Sequence, residues 1–183
     1  MDNIIRGANW YVDEINMRLR ADTAKLPVLR REMVQFVLGG GYFGIELPAE
    51  IQPLTAEMSV NSTPPEIRSR FGREPGDWTT VTYYESLLNA FPNSANGAST
   101  EATTGGPKLK GRVVILKGLL NEVEQPGVKG MKADGPARLR WSSIIQYQDV
   151  VDGTTVHKFD VQNNTLIING VNYTAEHNRI IAA

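Results

Sequence analysis

The residues Gly39-Gly40-Gly41-Tyr42-Phe43-Gly44 spell G-x-G-x-x-G, the pattern that cradles a dinucleotide pyrophosphate. That chemistry needs a helix beginning at the glycines, with its N-terminus against the phosphates. Here the chain continues Ile45-Glu46-Leu47-Pro48, which alternates and then meets proline. The glycines therefore read as a strand bend that uses positive φ. Two histidines, His157 and His177, stand apart in the sequence, and neither has a partner at a metal-ligand spacing. No serine sits in a nucleophile elbow. Both histidines are expected as surface or hydrogen-bonded structural side chains. Glu122 and Glu124, two apart on a strand, share a face as a carboxylate pair would, and a solvated strand end explains them equally well. Arg30-Arg31 followed by Glu32, and Arg68, Arg70 and Arg73 with acids nearby, read as salt bridges on the surface or between subunits. No catalytic residue, cofactor or metal follows from this set, and the expectation is a protein that is not an enzyme.

The elements that position these residues lie in a chain of 183, a length that suits one compact domain with a real core. Lys and Arg number 19 against 20 Asp and Glu, a net charge of −1, where a dedicated nucleic-acid binder would show a basic excess. There is no cysteine, so disulfides, thiolate zinc sites and thiol nucleophiles are excluded. Met1 to Arg18 carries acids and no apolar run, and no stretch approaches the roughly 18 apolar residues of a membrane helix. The expectation is a soluble protein of a cytoplasm, without a signal peptide or membrane anchor.

Period-two alternation dominates. Leu54, Ala56, Met58 and Val60 alternate with Thr55, Glu57 and Ser59, a strand with one covered and one wet face. From Arg138 to Tyr147, Leu139, Trp141, Ile145 and Tyr147 are expected on one face. Asp152-Gly153 then predicts a tight hairpin turn with φ > 0 at both residues, and Thr165 to Ile168 forms a strand after an Asn163-Asn164 turn. Val113 to Leu120 is apolar on both faces apart from Lys117 and Gly118, as in a strand covered on both sides. Long hairpins are expected over about 25–51 and 77–124, with the Ser-, Thr- and Gly-rich tract 92–107 as a flexible tip. The best helix is about 64–72, with Thr63 able to cap it and Gly72 able to end it; a turn or two near 173–180 is a second. The three tryptophans, Trp10, Trp78 and Trp141, fall on alternating faces where core packing accounts for them. The fold class is mostly β: a single-domain β-sandwich or barrel over 1–183, with long hairpins, one short α-helix, and C-terminal strands over 138–171.

The stretch Val156-His157-Lys158-Phe159-Asp160-Val161-Gln162-Asn163-Asn164-Thr165-Leu166-Ile167-Ile168-Asn169-Gly170-Val171-Asn172, then Ala175-Glu176-His177-Asn178-Arg179, resembles the ending of the major tail tube proteins of contractile-tailed phages and R-type bacteriocins. Leu26-Pro27-Val28-Leu29 looks like that family's Leu-Pro-x-Leu strand. Gly39-Gly40-Gly41 with the return strand from Tyr42, and the helix near Pro65 to Gly72, fall where the family has its glycine break and helix.

The resemblance implies a structural subunit of the inner tail tube, in the virion tail, assembled in the host cytoplasm. Hexameric rings would stack head-to-tail into a hollow conduit for DNA delivery, the two long hairpins of each copy joining one inner barrel whose closure removes exposed strand edges. Duplex DNA would pass transiently without sequence-specific binding, through a lumen expected to be polar to acidic, because a basic one would grip every phosphate. The implied partners are the chain itself, a tail sheath protein, and baseplate and tail terminator proteins. Candidate contacts between subunits are Leu29, Arg30, Arg31, Glu32, Gly39, Gly40, Gly41 and Tyr42, together with the 92–107 tract. Two alternatives are the inner-tube protein of a type VI secretion system and a β-sandwich binding module; the ending at 156–179 favours the phage branch over the first, and the absence of an aromatic platform disfavours the second.

Overall fold

A computed structural model describes residues 3–37, 39–89 and 109–181. In chain order the elements are β1 (Asn3–Val12), β2 (Ile15–Asn16), β3 (Ala21–Lys25), β4 (Arg31–Val37), β5 (Gly44–Ile51), β6 (Ala56–Val60), α1 (Pro65–Arg68), β7 (Thr79–Asn89), β8 (Leu109–Glu124), β9 (Val128–Lys129), β10 (Lys132–Ala133), β11 (Ala137–Val151), β12 (Thr154–Asp160), β13 (Thr165–Ile168), β14 (Val171–Asn172) and α2 (Ala175–Ile181). The chain is mostly β, as its alternation predicts. The main sheet is open, with β14 and β2 ending the order β14-β13-β12-β11-β8-β7-β1-β2, so the described strands close no barrel within one chain. The tract 92–107 lies outside the described residues.

Contacts divide the chain into two compact units. The first comprises Met1–Ala21, Trp78–Gly118 and Ile145–Ala183. Its centre is built in rows across three antiparallel strands. Trp10 pairs with Tyr83 and Tyr83 with Val114; two residues on, Val12 pairs with Val81 and Val81 with Leu116. All six side chains are buried. Trp10 and Tyr83 stack tilted, their centroids 4.6 Å apart. Each fully covered side chain of this kind contributes about 1.5–3 kcal/mol. A bulge between Ile5 and Gly7 shifts the β1–β7 register near the start of β1. Asp13, at φ 51°, turns the chain into β2; its backbone N–H donates to the Thr80 carbonyl, and its carboxylate accepts from the Thr80 N–H, each at 2.7 Å.

Asp152 and Gly153 join β11 to β12 with φ 52° and 78°, the doubly left-handed turn expected of this pair. Asn169 and Gly170 do the same between β13 and β14, at φ 49° and 81°. The strand Thr165–Ile168 follows Asn164 at φ 43°, as its sequence predicts.

The second unit comprises Asp22–Asp77 and Leu119–Ile144. Here β6 pairs with β11 so that Trp141 lies opposite Ala56, Leu139 opposite Met58, and Ala137 opposite Val60. All six are buried, and Ile67 of α1 is fully covered. The helix starts one residue later than a Thr63 cap requires. Pro64, extended at φ −61°, occupies the cap position without a side-chain hydrogen bond, and Pro65 opens the first turn. Gly72, at φ 79°, follows the turn after it.

Two expectations shift. Along β11 the buried residue after Trp141 is Ile144, and Ile145 is only half-buried, because Ser143 adopts φ 49° and moves the alternation by one residue. Within the span expected as the first long hairpin, paired strands run only from Arg31 to Ile51. Leu26 to Arg30 is irregular around Pro27, which has no N–H for a ladder, and Lys25 ends β3, which pairs with β6.

Candidate assembly surface

β4 and β5 form a two-stranded antiparallel ribbon that pairs with nothing else among the described strands. Directly opposed residues share a face. Val34 opposes Leu47 and Phe36 opposes Ile45, which makes one face continuously apolar. Met33 opposes Pro48, Gln35 opposes Glu46 and Val37 opposes Gly44, which makes the other face mixed. Neither face is covered: Met33, Val34, Phe36, Val37, Ile45 and Leu47 are 41–69 % exposed. Both outer edges of the ribbon also present unpaired backbone groups. Bare edges and bare apolar faces are what proteins ordinarily hide, and an isolated two-stranded hairpin is marginal in water. A bulge lies between Arg31 and Met33, where Ala49 and Glu50 of β5 stand across from Glu32 alone.

Of the sequence-predicted contacts, the named residues from Leu29 to Tyr42 fall on or beside this ribbon, and the 92–107 tract lies outside the described residues. Leu29 and Arg30 precede it, Arg31 and Glu32 begin β4, and Gly39, Gly40, Gly41 and Tyr42 form its tip; all are exposed. Gly40 is the glycine whose φ, 80°, needs the left-handed region. Arg31 turns onto its own hairpin, its Nε donating to the Ala49 carbonyl at 2.7 Å, and the Gln52 N–H donates to the Arg30 carbonyl at 2.9 Å. Sequence reasoning passed over the apolar face itself, although Val34-x-Phe36 and Ile45-x-Leu47 carry its signal.

A second set of charges is placed very differently. In the first unit Arg112 reaches Asp149 with two parallel hydrogen bonds, Nε to Oδ1 at 2.9 Å and Nη2 to Oδ2 at 2.7 Å, and Glu85 through Nη1 at 3.2 Å. The side chains of Glu85, Asp149 and Arg112 are 3 %, 11 % and 27 % exposed. The hydrogen bonds to Asp149 hold the Arg112 proton more firmly than usual, and burial works against them. Burial, then the charge on Glu85, pushes Tyr83 up to about 12; burial, then Asp149, does the same to Tyr147. These partners lie 27 and 37 residues apart, so no local pattern announces them.

The residues with catalytic potential do not converge. Glu122 and Glu124 face Arg140 and Arg138 at 3.7 and 3.8 Å, and Glu57 lies 3.9 Å from Arg140 and 3.7 Å from Lys25. These are exposed cross-strand pairs, each worth about 0–1 kcal/mol. His157 is half-buried against Tyr147, ring centroids 5.7 Å apart, and its buried Nδ1 has no hydrogen-bond partner. His177 is exposed on α2. After Gly39–Gly44 comes a strand, so no helix N-terminus is available for a phosphate. Among the described residues no group of three His, Asp or Glu side chains could hold a metal, and no helix is long and apolar enough to cross a membrane.

A family model described as phage tail tube protein FII matches residues 2–181. The chain belongs to that family, whose role is structural and whose place is the virion tail. No curated protein matches the chain.

Proposed function

We propose that this member of the tail tube family is the subunit of the inner tube of a contractile tail, and that it works by assembly rather than by catalysis. The bare β4–β5 ribbon carries the reading. It is stable only when something covers its apolar face and continues its edges, and copies of the same chain supply both if the ribbons join edge to edge into a barrel. The open main sheet and the half-buried second face of β8, at Val113, Ile115 and Leu119, are consistent with further cover from neighbours.

In this reading the whole chain acts as one tube domain. Hexameric rings stack head-to-tail into a conduit, since only heterologous contacts build an open filament. DNA passes through a polar to acidic lumen without being gripped, and a strongly basic surface potential inside an assembled ring would overturn that part. The sheath, baseplate and tail terminator proteins are the proposed partners, and assembly takes place in the bacterial cytoplasm. The similarity of residues 156–179 to tube proteins of contractile-tailed particles supports the contractile assignment.

Negative-stain electron microscopy over a concentration series tests the proposal. Six-fold rings or hollow tubes of uniform diameter are the expected result. Monomers at every concentration, even with preformed tail fragments added as seeds, would exclude it.

A further inference from the structure

The first unit carries an open cleft of about 470 Å³ on the face of β1, β7 and β8. Gly7 opposes Ser86, and Ser86 opposes Gly111, so the cleft crosses three neighbouring strands where side chains are smallest. A Cβ built on Gly7 or Gly111 meets nothing within 4 Å, which leaves the space above both open. Tyr84 and Leu109, both exposed, border it as apolar walls, and Tyr84 meets Tyr11 edge-on at 5.6 Å. Arg18 gives its margin positive charge, while Lys110 and Arg112 belong to the other face of β8, where Arg112 is engaged by Glu85 and Asp149.

The tip of the β4–β5 ribbon has the converse character. Tyr42 is 99 % and Phe43 is 84 % exposed, a pair of aromatic rings with no cover at all. Between Gln35 and Leu47 the one charged residue is Glu46, an acid. An aromatic ring laid over strand glycines restores the packing their missing side chains forgo, and an apolar side chain entering a pocket elsewhere on the next copy makes a contact that propagates rather than closes.

We infer that the cleft around Gly7, Ser86 and Gly111 receives the Tyr42–Phe43 tip from a second copy of this chain, with Glu46 brought against Arg18. The inference rests on the tube reading and adds to it a specific socket. The occupant follows from three matches: ring against glycine, apolar tip against apolar walls, and acid against basic margin. An adjoining segment or a different tail protein in the cleft is the competing outcome.

The cysteine-free chain makes a clean test possible. Phe43→Cys and Ser86→Cys are introduced into separate preparations, mixed, assembled and oxidised mildly. A disulfide between the two variants is necessarily between copies, and it forms only if the Cβ atoms approach within roughly 3.5–4.5 Å. Cross-linked dimers in assembled tubes, absent from unassembled chains, are the expected result. Tubes that form without the cross-link overturn the socket while leaving the tube reading intact; unsubstituted chains that never assemble overturn both. Gly111→Val supplies a second measurement. The free chain has room for the new side chain and should melt unchanged, yet the concentration needed for tubes should rise by about tenfold or more as the cleft is filled. An unchanged threshold would count against the socket.

Discussion

β7–β8 and β4–β5 are both antiparallel pairs of alternating sequence, yet their fates within one chain are opposite. In the first, Val81, Tyr83, Val114 and Leu116 are buried; in the second, the equivalent apolar residues Val34, Phe36, Ile45 and Leu47 stand in solvent. Strand propensity does not separate them, since both are rich in β-branched and aromatic residues. The difference is company. β7 and β8 have strand neighbours on either side, while the ribbon has none. Burial in a strand is a property of its neighbours as much as of its sequence.

The widest gap should appear when one side chain is truncated in each pair. Leu116→Ala should cost about 2–5 kcal/mol in a urea melt, and Phe36→Ala should stay within about 0.5 kcal/mol. In an assembly assay the order should reverse, with Phe36→Ala raising the threshold concentration. Equal effects in the melt would erase the distinction.

Arg112→Met probes the covered pair's interior. Glu85 and Asp149 would remain buried without their cation, and the loss should be about 3–5 kcal/mol. A melt within about 1 kcal/mol of the parent would mean that water reaches the two carboxylates freely.

The two turns give a finer comparison. Gly153 and Gly40 both hold φ near 80°. Gly153→Ala should cost about 1–2 kcal/mol in the melt. Gly40→Ala strains a ribbon that contributes little to the monomer, and its effect should surface in assembly kinetics instead.

The smallest effect expected is one of pH. Burial holds the His157 pKa below its ordinary 6.5, with Asp149 opposing. The unfolded chain therefore takes up the proton first: His157's contribution is complete above about 6.5 and is lost as pH falls toward its depressed folded value. Asp160 acts lower on the scale. Although burial raises its pKa, hydrogen bonds from Asn163, Gln146 and Gln162 outweigh this and hold it below 3.8, so its stabilisation disappears only in stronger acid. His157→Gln should flatten the stability profile just below pH 6.5 and leave the acid limb in place, as chemical melts across pH would reveal.

Much of this was legible beforehand. The strand Thr165–Ile168, the doubly left-handed Asp152-Gly153 turn and the helix near Pro65 follow from alternation and turn chemistry, which act over a few residues. What escaped was set at longer range or by backbone choices that side chains do not advertise. Nothing in serine signals that Ser143 takes φ 49° and buries Ile144 in place of Ile145. Arg112, Glu85 and Asp149 meet only because β7, β8 and β11 bring them together. The ribbon's bare apolar face is likewise not announced by its sequence, because periodicity reports that a face is apolar and not who covers it.

The uninterrupted length of β8 has a mechanical consequence. At about 3.3 Å per residue its 16 residues span roughly 50 Å, and ten consecutive residues pair with β7. Antiparallel hydrogen bonds run perpendicular to the strands. A pull along β8 therefore shears the whole ladder at once, whereas a pull across the sheet opens its rungs one after another. The β7–β8 ladder is stiff along its strands and compliant across them.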